Sequence, residues 1–437
     1  MFAFAVLIVG LAQAVPALRS DSTLFGGRFY PRVVTGTDST QAYALFLPPN
    51  YGNDHRWPIL FLMDPRGRAL VPLTRFAPAA ARLGYVVMSS YNTISDGPTE
   101  PNVAALNGMM ADAQRVLAID PHRFYLGGFS GTARMAWPFA AQLKGAVRGI
   151  VSVGAGTPQG GGKWLEPFAK SNDIAIFSAA GGFDFNRDEV ARLDEQLEAH
   201  RIRHRTVIFK GGHEWVPESV AMDALEWLTI EAAADPGHGD GNLTSTYLAA
   251  RLAEIDTIAQ EGDTSEAFRR LSSLGRELGS HPLLADYRKR SQGAALLARG
   301  EDAVREDRQR IRGDSAWRDL ARNELHRALT AEPRGPADEL ADVLRLTELK
   351  ALTRETVPMT VRASATRRLE WLYVTTAYYD ARDYLESKSY GLALFVLDVG
   401  HRIHELSSPS CELAVTALAG LGQGSAAARY PECAVRP

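Results

Sequence analysis

The stretch Phe124-Tyr-Leu-Gly-Gly-Phe-Ser-Gly-Thr-Ala-Arg-Met135 decides the fold, because it runs from a strand-like segment into a helix with a serine at the turn. A serine hydroxyl reacts only when a base reaches it and backbone N–H groups face the charge that develops on the substrate oxygen. A tight turn meets both needs, and it requires small neighbours. Gly128 meets this requirement, whereas Thr132 stands where glycine is usual. The stretch predicts Ser130 as a nucleophile.

Short apolar runs alternate with amphipathic helical stretches on both sides of this turn, from about residue 28 to residue 234. This alternation is typical of an α/β fold, in which helices cover both faces of a mostly parallel sheet. The predicted strands are Trp57–Met63, Tyr85–Ser90, Phe124–Gly128, Ile150–Val153, Ile174–Phe177 and Thr206–Phe209. The predicted helices are Val103–Leu117 with Asn102 as its N-cap, Asp188–Ala199 and Ser219–Ala232. An antiparallel start is predicted within Arg28–Tyr51.

Two polar residues follow later predicted strands. Asp184 lies in Gly181-Gly-Phe-Asp-Phe-Asn186, after the strand Ile174–Phe177, and His213 lies in Gly211-Gly-His-Glu-Trp215, after the last strand. We expect both loops at one edge of the sheet, where Asp184 orients the imidazole of His213. An imidazole held in this way is the base that a serine nucleophile needs.

These motifs resemble the α/β-hydrolase superfamily, and most closely the secreted bacterial esterases related to polyhydroxybutyrate depolymerases and feruloyl esterases. The resemblance covers residues 40–232 and rests on the motifs around Ser130, Asp184 and His213, in the chain order of that fold. It implies that Ser130 is the nucleophile, that His213 is the general base and then the acid, and that Asp184 fixes the histidine tautomer. The implied reaction is two-step hydrolysis of a carboxylic ester without a cofactor or metal.

The resemblance also implies an oxyanion hole. One donor is the N–H of Gly131, and the other comes from the loop Met63-Asp-Pro-Arg-Gly-Arg68. Pro65 has no N–H, so Arg66 is the predicted second donor. The side chains of Arg66 and Arg68 either form loop ion pairs or hold a substrate carboxylate.

The substrate class stays open at this level. About twenty residues separate Val153 from Ile174, too few for a large inserted cap, so we expect an open cleft that accepts a small-molecule or polymer ester. A serine peptidase or a thioesterase of the same fold is an alternative. The alternative from another class is a non-catalytic, hydrolase-like scaffold that binds a protein partner through its helical domain.

A breaker-rich segment divides the chain. Residues 18–235 are predicted as the catalytic domain, residues 236–242 as a linker, and residues 243–437 as an all-α domain. That domain either contains tetratricopeptide-like repeats or is an irregular helical bundle. We expect it to supply no catalytic group, so that a chain ending near Asp235 still cleaves a small ester.

Composition, the N-terminal segment and the two cysteines indicate the class of protein and its compartment. Hydrophobic residues make up 46% and charged residues 23%, values typical of a globular protein, and the net charge of -3 argues against nucleic acid as a partner. The apolar start predicts a signal peptide at residues 1–17 and a secreted or periplasmic protein, and no later segment is apolar enough to span a membrane. Cys411 and Cys433 form either a disulfide or two free buried thiols.

Overall fold

The computed structural model describes residues 18–19, 24–143, 145–171, 174–233 and 241–434. These residues belong to two compact units. The first contains the described residues up to Ser178 together with Gln196–Arg205 and Trp215–Leu243, and the second contains Ala179–Glu195, Thr206–Glu214 and the residues from Thr244 onward. The predicted signal peptide and residues 236–240 of the predicted linker lie outside the described residues. The domain boundaries stay predictions.

The described residues form nine strands of one sheet in the order β1-β2-β3-β5-β4-β6-β7-β8-β9. Strand β3 is antiparallel to both β2 and β5, whereas β5, β4, β6 and β7 are parallel. The predicted mostly parallel sheet with an antiparallel start is therefore confirmed. The strands are β1 Leu18–Arg19, β2 Phe29–Val34, β3 Ala42–Phe46, β4 Trp57–Met63, β5 Val86–Ser90, β6 Ile119–Phe129, β7 Val147–Val153, β8 Ala175–Gly181 and β9 His204–Phe209.

Helices cover the sheet because its central strands are apolar on both faces. All seven residues of β4 are buried. Helices α1 and α6 pack against each other, and α3 packs on β6 and β7. The helices of this part of the chain are α1 Leu70–Leu83, α2 Glu100–Val116, α3 Gly131–Gln142, α4 Glu166–Ser171, α5 Arg187–Ala199 and α6 Glu218–Ala233.

One predicted helix start is wrong. Helix α2 begins at Glu100, with Thr99 at its N-cap position, and Asn102 lies buried inside its first turn. The amide of Asn102 accepts a hydrogen bond from the N–H of Ile94 and donates one to its carbonyl, both at 2.9 Å. Asn102 therefore satisfies the backbone of a neighbouring loop instead of capping its own helix.

The C-terminal part is helical, as predicted, and its described residues contain no strand. Helix α7 begins at Gly241, inside the predicted linker. A π-helical turn at Thr375–Asp380 joins α13 to α14, and whether these helices form repeats stays a prediction. The helices are α7 Gly241–Gln260, α8 Thr264–Leu278, α9 Pro282–Lys289, α10 Ser291–Thr330, α11 Ala337–Val343, α12 Leu346–Ala351, α13 Met359–Val374, α14 Ala381–Glu386, α15 Tyr390–His401, α16 Ser408–Gly420 and α17 Ala426–Arg429.

Helix α8 covers the backbone of β9, the last strand in the sheet order. The N–H of Ile208 donates to the carboxylate of Glu266 at 2.9 Å, and the Arg270 guanidinium donates to the Ile208 carbonyl at 3.2 Å. Arg270 and Glu266 also pair with each other at 2.8 Å. Side chains therefore take the hydrogen bonds that a further strand would make at this residue.

Cys411, in α16, is bonded to Cys433, in a 3-10 turn at Pro431–Cys433, with their Cα atoms 5.3 Å apart. The disulfide alternative is therefore correct, and it closes a loop between positions separated by 22 residues. Among the described residues, no helix has both the length and the apolarity needed to cross a bilayer.

Candidate active site

Ser130 occupies the turn between β6, which ends at Phe129, and α3, which begins at Gly131. Its φ of 55° and ψ of -126° lie in a region that non-glycine residues rarely adopt. Such strain costs about 1–3 kcal/mol and persists only where the surroundings hold it. Here the N–H of Ser130 donates to the carbonyl of Val153 at 2.8 Å, and its carbonyl accepts from the N–H of Ala133 at 3.0 Å. The turn leaves Ser130 partly exposed.

Two glycines are required by this turn. A Cβ added to Gly128 would lie 2.5 Å from the carbonyl oxygen of Thr132, and a Cβ added to Gly131 would lie 2.4 Å from the Cβ of Ser95. Both distances are shorter than real Cβ contacts, so any larger residue would force the turn or, at Gly131, the neighbouring Ser95 to move. The need for small residues around Ser130 is therefore visible in the packing.

Thr132 stands where glycine is usual, and the turn accommodates it. Its hydroxyl group makes hydrogen bonds with buried backbone groups. The hydroxyl lies 2.6 Å from the carbonyl oxygen of Met63 and 2.8 Å from that of Phe129, so that its one proton is shared between them. It also accepts the N–H of Phe129 at 3.2 Å. Thr132 thereby ties the serine turn to the end of β4.

The N–H of Arg66, the predicted second oxyanion donor, has a partner within its own loop, and its role stays a prediction. It donates to the Oδ1 atom of Asp64 at 2.9 Å. Gly131 is different, because it is the first residue of α3 and the first N–H groups of a helix have no acceptor within the helix. Its N–H stays the predicted donor.

Asp64 is the centre of a buried hydrogen-bond network. Besides the Arg66 N–H, its carboxylate accepts the Arg68 side chain at 3.0 Å and the indole N–H of Trp215 at 2.8 Å. Burial acts to raise the pKa of Asp64, but the hydrogen bonds from Arg68, Trp215 and the backbone outweigh it, and the net pKa is lowered. Arg68 thus forms a loop ion pair, the first of the two alternatives considered for it. The network anchors Trp215, two residues after His213.

Asp184 and His213 are in direct contact. The Nδ1 atom of His213 lies 2.9 Å from the Oδ1 atom of Asp184, which is fully buried. The same Oδ1 atom accepts a hydrogen bond from the N–H of Asn186 at 2.7 Å. The ring centroids of Phe185 and His213 are 4.3 Å apart. This arrangement holds the imidazole in one orientation, with Nδ1 toward the carboxylate.

The glycine pairs beside these residues allow their loops to meet. A Cβ on Gly181 would lie 2.3 Å from the carbonyl oxygens of both Gly211 and Gly212. The N–H of Phe183 donates to the carbonyl of Gly211 at 2.9 Å, which joins the two loops. The repeated glycines around Asp184 and His213 are therefore explained by close backbone approach.

Sequence reasoning missed two arginines of the C-terminal helices that contact the Asp184 loop. Arg318 of α10 donates to the carbonyl of Phe185, and Arg367 of α13 donates to the carbonyl of Gly182. A signal was present, since Arg318 shares the buried face of α10 with Ile311, Asp314 and Ala321 at spacings of three and four residues. Charged residues on such a face need buried partners.

Each predicted triad residue follows a strand of the described sheet. Ser130 follows β6 in the first unit, whereas Asp184 follows β8 and His213 follows β9 in the second unit, where the structure brings these two together. In the part of the chain that the structure describes, no group of three or more histidine, cysteine, aspartate or glutamate residues is arranged to hold a metal ion.

Comparison with known proteins gives matches among solved structures, whereas no protein-family model and no curated protein matches the sequence. A ferulic acid esterase is 14% identical, over 47% of this chain and 99% of its own, with a TM-score of 0.40. A substrate-bound, fluorophosphonate-binding serine hydrolase of Staphylococcus aureus is 11% identical, over 46% of this chain and 98% of its own, with a TM-score of 0.39. A mutant feruloyl esterase module from Clostridium thermocellum, complexed with sinapinate, is 14% identical over 46% and 87%, with a TM-score of 0.38.

These structures are similar to about half of this chain. The fold of that half follows from the chain's own features, namely the mostly parallel sheet with an antiparallel β3, the helices packed on it, and the strand-to-helix turn that carries Ser130. Over this half, the chain has the α/β-hydrolase fold.

Proposed function

We propose that the chain is a serine hydrolase that cleaves a carboxylic ester, with Ser130, His213 and Asp184 as its catalytic triad. The observation that carries the proposal is the strained turn at Ser130, where two glycines leave room for nothing larger. A turn of this kind between a strand and a helix exposes a serine hydroxyl to a base and to the N–H groups of the helix start. The buried Asp184 that holds His213 supplies the second part of the argument.

The mechanism is acyl transfer in two steps. Contact with Asp184 keeps the proton of the neutral imidazole on Nδ1, so Nε2 of His213 is the base. As Ser130 Oγ bonds to the ester carbonyl carbon, its proton passes to Nε2, and the oxyanion accepts the Gly131 N–H. The C–O bond to the alcohol then breaks, and the alcohol leaves with that proton. Water repeats the sequence on the acyl-enzyme, releasing the acid and restoring the serine.

Substrate class and compartment are part of the proposal. Between β7 and β8 the described residues contain only a short 3-10 helix and α4, so no large cap is inserted there, which favours a small-molecule ester or the end of a polymer.

The disulfide is typical of an oxidising space and supports a secreted or periplasmic protein. Intact mass of the protein from its native host tests export: a start near Val15 or Leu18 is expected, and retained Met1 contradicts it.

A fluorophosphonate probe tests the catalytic proposal. We expect labelling of the wild type and of a Ser291→Ala control, which alters an exposed serine at the start of α10, and no labelling of Ser130→Ala. A panel of p-nitrophenyl esters, feruloyl esters, acetylated sugars, thioesters and peptide amides then defines the acyl bond. Preference for amides or thioesters would favour the peptidase or thioesterase alternative. Folded wild type that takes up no probe would favour the scaffold.

A further inference from the structure

We propose that Arg318 and Arg367 are positioning residues that hold the loop carrying Asp184, so that its carboxylate meets His213. The inference rests on the proposed function and adds to it a role for the C-terminal helices. These helices contribute hydrogen bonds to the loop on both sides of Asp184.

Arg318 holds the loop just after Asp184. Its Nη2 atom donates to the carbonyl of Phe185 at 2.5 Å, and its Nη1 atom donates to the carboxylate of Asp188 at 2.7 Å. One planar guanidinium therefore links the end of the loop to the first turn of α5. Asp188 keeps a second partner in Arg192, at 2.8 Å.

Arg367 holds the loop just before Asp184. Its Nη1 atom donates to the carbonyl of Gly182 at 2.8 Å, while its Nε atom donates to Asp314 of α10 at 3.0 Å. Asp314 is itself buried and also accepts the side chains of Arg368, at 2.9 Å, and Ser364. Arg367 is thus fixed on α10 and α13 before it reaches the loop.

The two contacts fix the backbone on either side of Asp184, because they bind the carbonyl two residues before it and the carbonyl one residue after it. Both arginines are buried, with exposed fractions of 8% for Arg318 and 2% for Arg367. A carbonyl that accepts from a charged donor away from water is bound more strongly than one that accepts from a neutral donor. The helical region therefore adds two charge-assisted hydrogen bonds to the backbone bonds that already join this loop to its neighbours.

The start of α5 makes a further contact with the C-terminal helices. Arg187 donates to the carboxylate of Asp307 in α10 at 2.8 Å, and Arg269 of α8 binds the same carboxylate. Burial lowers the pKa of Arg187 to about 10, although Asp307 acts to raise it, so this guanidinium stays charged near neutral pH. A chain ending near Asp235 loses all these partners. We therefore expect it to lose turnover, in contrast to the expectation from sequence alone.

The test uses the full chain with Arg318→Met and Arg367→Met, each of which leaves its carboxylate partner with another cation. Arg368→Met is the matched control, because Arg368 binds the same Asp314, whereas the loop carbonyls of Gly182 and Phe185 accept from Arg367 and Arg318. We expect kcat for a small soluble ester to fall about 10–100-fold in the first two variants, since misplacement of a catalytic group by about 1 Å costs about 100-fold. KM should change little, because the substrate contacts remain.

A second readout does not depend on turnover. The proton on Nδ1 of His213, bound to Asp184, gives a downfield proton resonance that can be followed with isotope-labelled histidine. We expect it in the wild type and in Arg368→Met, and we expect it weakened or shifted in the other two variants. Arg318→Lys and Arg367→Lys serve if a methionine variant does not fold, because a lysine can reach only one of the two partners.

Wild-type kcat and an unchanged resonance in folded Arg318→Met and Arg367→Met would overturn the proposal. An equal loss in Arg368→Met would also overturn it, because the effect would then come from Asp314 and not from the loop contacts. If the wild type hydrolyses no ester and takes up no fluorophosphonate, the proposed function fails, while the resonance still reports whether the arginines hold the Asp184–His213 pair.

Discussion

Replacing Thr132 by valine removes one buried hydroxyl and keeps the shape of the side chain. The hydroxyl is completely buried and has three backbone partners, the carbonyls of Met63 and Phe129 and the N–H of Phe129. Removing the hydroxyl leaves these buried backbone groups without one hydrogen-bond partner, which costs about 1–3 kcal/mol. For a unit of this size, each kcal/mol lowers Tm by about 2–4 °C, so we expect Thr132→Val to lower it by about 2–12 °C.

Two further variants isolate the hydroxyl. Thr132→Ser keeps it and loses one methyl group, at a cost of about 0.8 kcal/mol. Thr132→Gly restores the usual glycine but loses the hydroxyl, and it adds the cost of glycine in a helix, about 1 kcal/mol. The expected order of Tm in thermal unfolding is threonine, serine, valine and glycine. A valine variant as stable as wild type, or a glycine variant more stable than it, would refute the idea that Thr132 ties the turn to β4.

Three other predictions concern the site and the fold. Ser130→Ala and His213→Ala should lower kcat by on the order of 10⁴–10⁶, and adding Asp184→Asn to either should lower it little more, as ester turnover will show. Because the lowered pKa of Asp64 lies below its ordinary value of 3.8, its ionised form stabilises the fold above that pH and the stabilisation is lost below it. The stability lost in Asp64→Asn, measured by urea denaturation, should therefore be largest near neutral pH and shrink below pH 3.8. Cys411→Ser should destabilise the helical region by about 3 kcal/mol, seen as an earlier melting step, with unchanged ester turnover.

The central strands of the sheet were predictable because each contains a short apolar run bounded by breakers. Trp57–Met63 was predicted with the bounds that the structure has, since a buried central strand is apolar at every position. The Ser130 turn and the contact between Asp184 and His213 were equally accessible, because glycines and strand ends mark them. The local sequence pattern was sufficient where a residue's position depends on its own strand, turn or loop.

The contacts that sequence reasoning did not foresee share one physical cause, which is that a polar group takes a partner that the local sequence does not show. Asn102 resembles an N-cap but binds the backbone at Ile94. The Arg66 N–H, predicted as an oxyanion donor, donates to the carboxylate two residues earlier, a contact that the sequence analysis did not foresee. Arg318 and Arg367 bind carbonyls that lie 133 and 185 residues away in the chain. Contacts at that separation depend on tertiary structure and leave only a buried charge as their signal.

Glu266 and Arg270, whose side chains bind the backbone of Ile208, are synthesised after β9. A ribosome completes β9 well before it reaches Glu266, 58 residues after Ile208. At about 5–20 residues per second, that interval lasts about 3–12 seconds. During it, the N–H and carbonyl of Ile208 lack these two partners, and an open strand can pair with another nascent chain. Chains stopped before Glu266 keep that edge uncovered permanently, so we expect them to accumulate as insoluble aggregates when they are expressed.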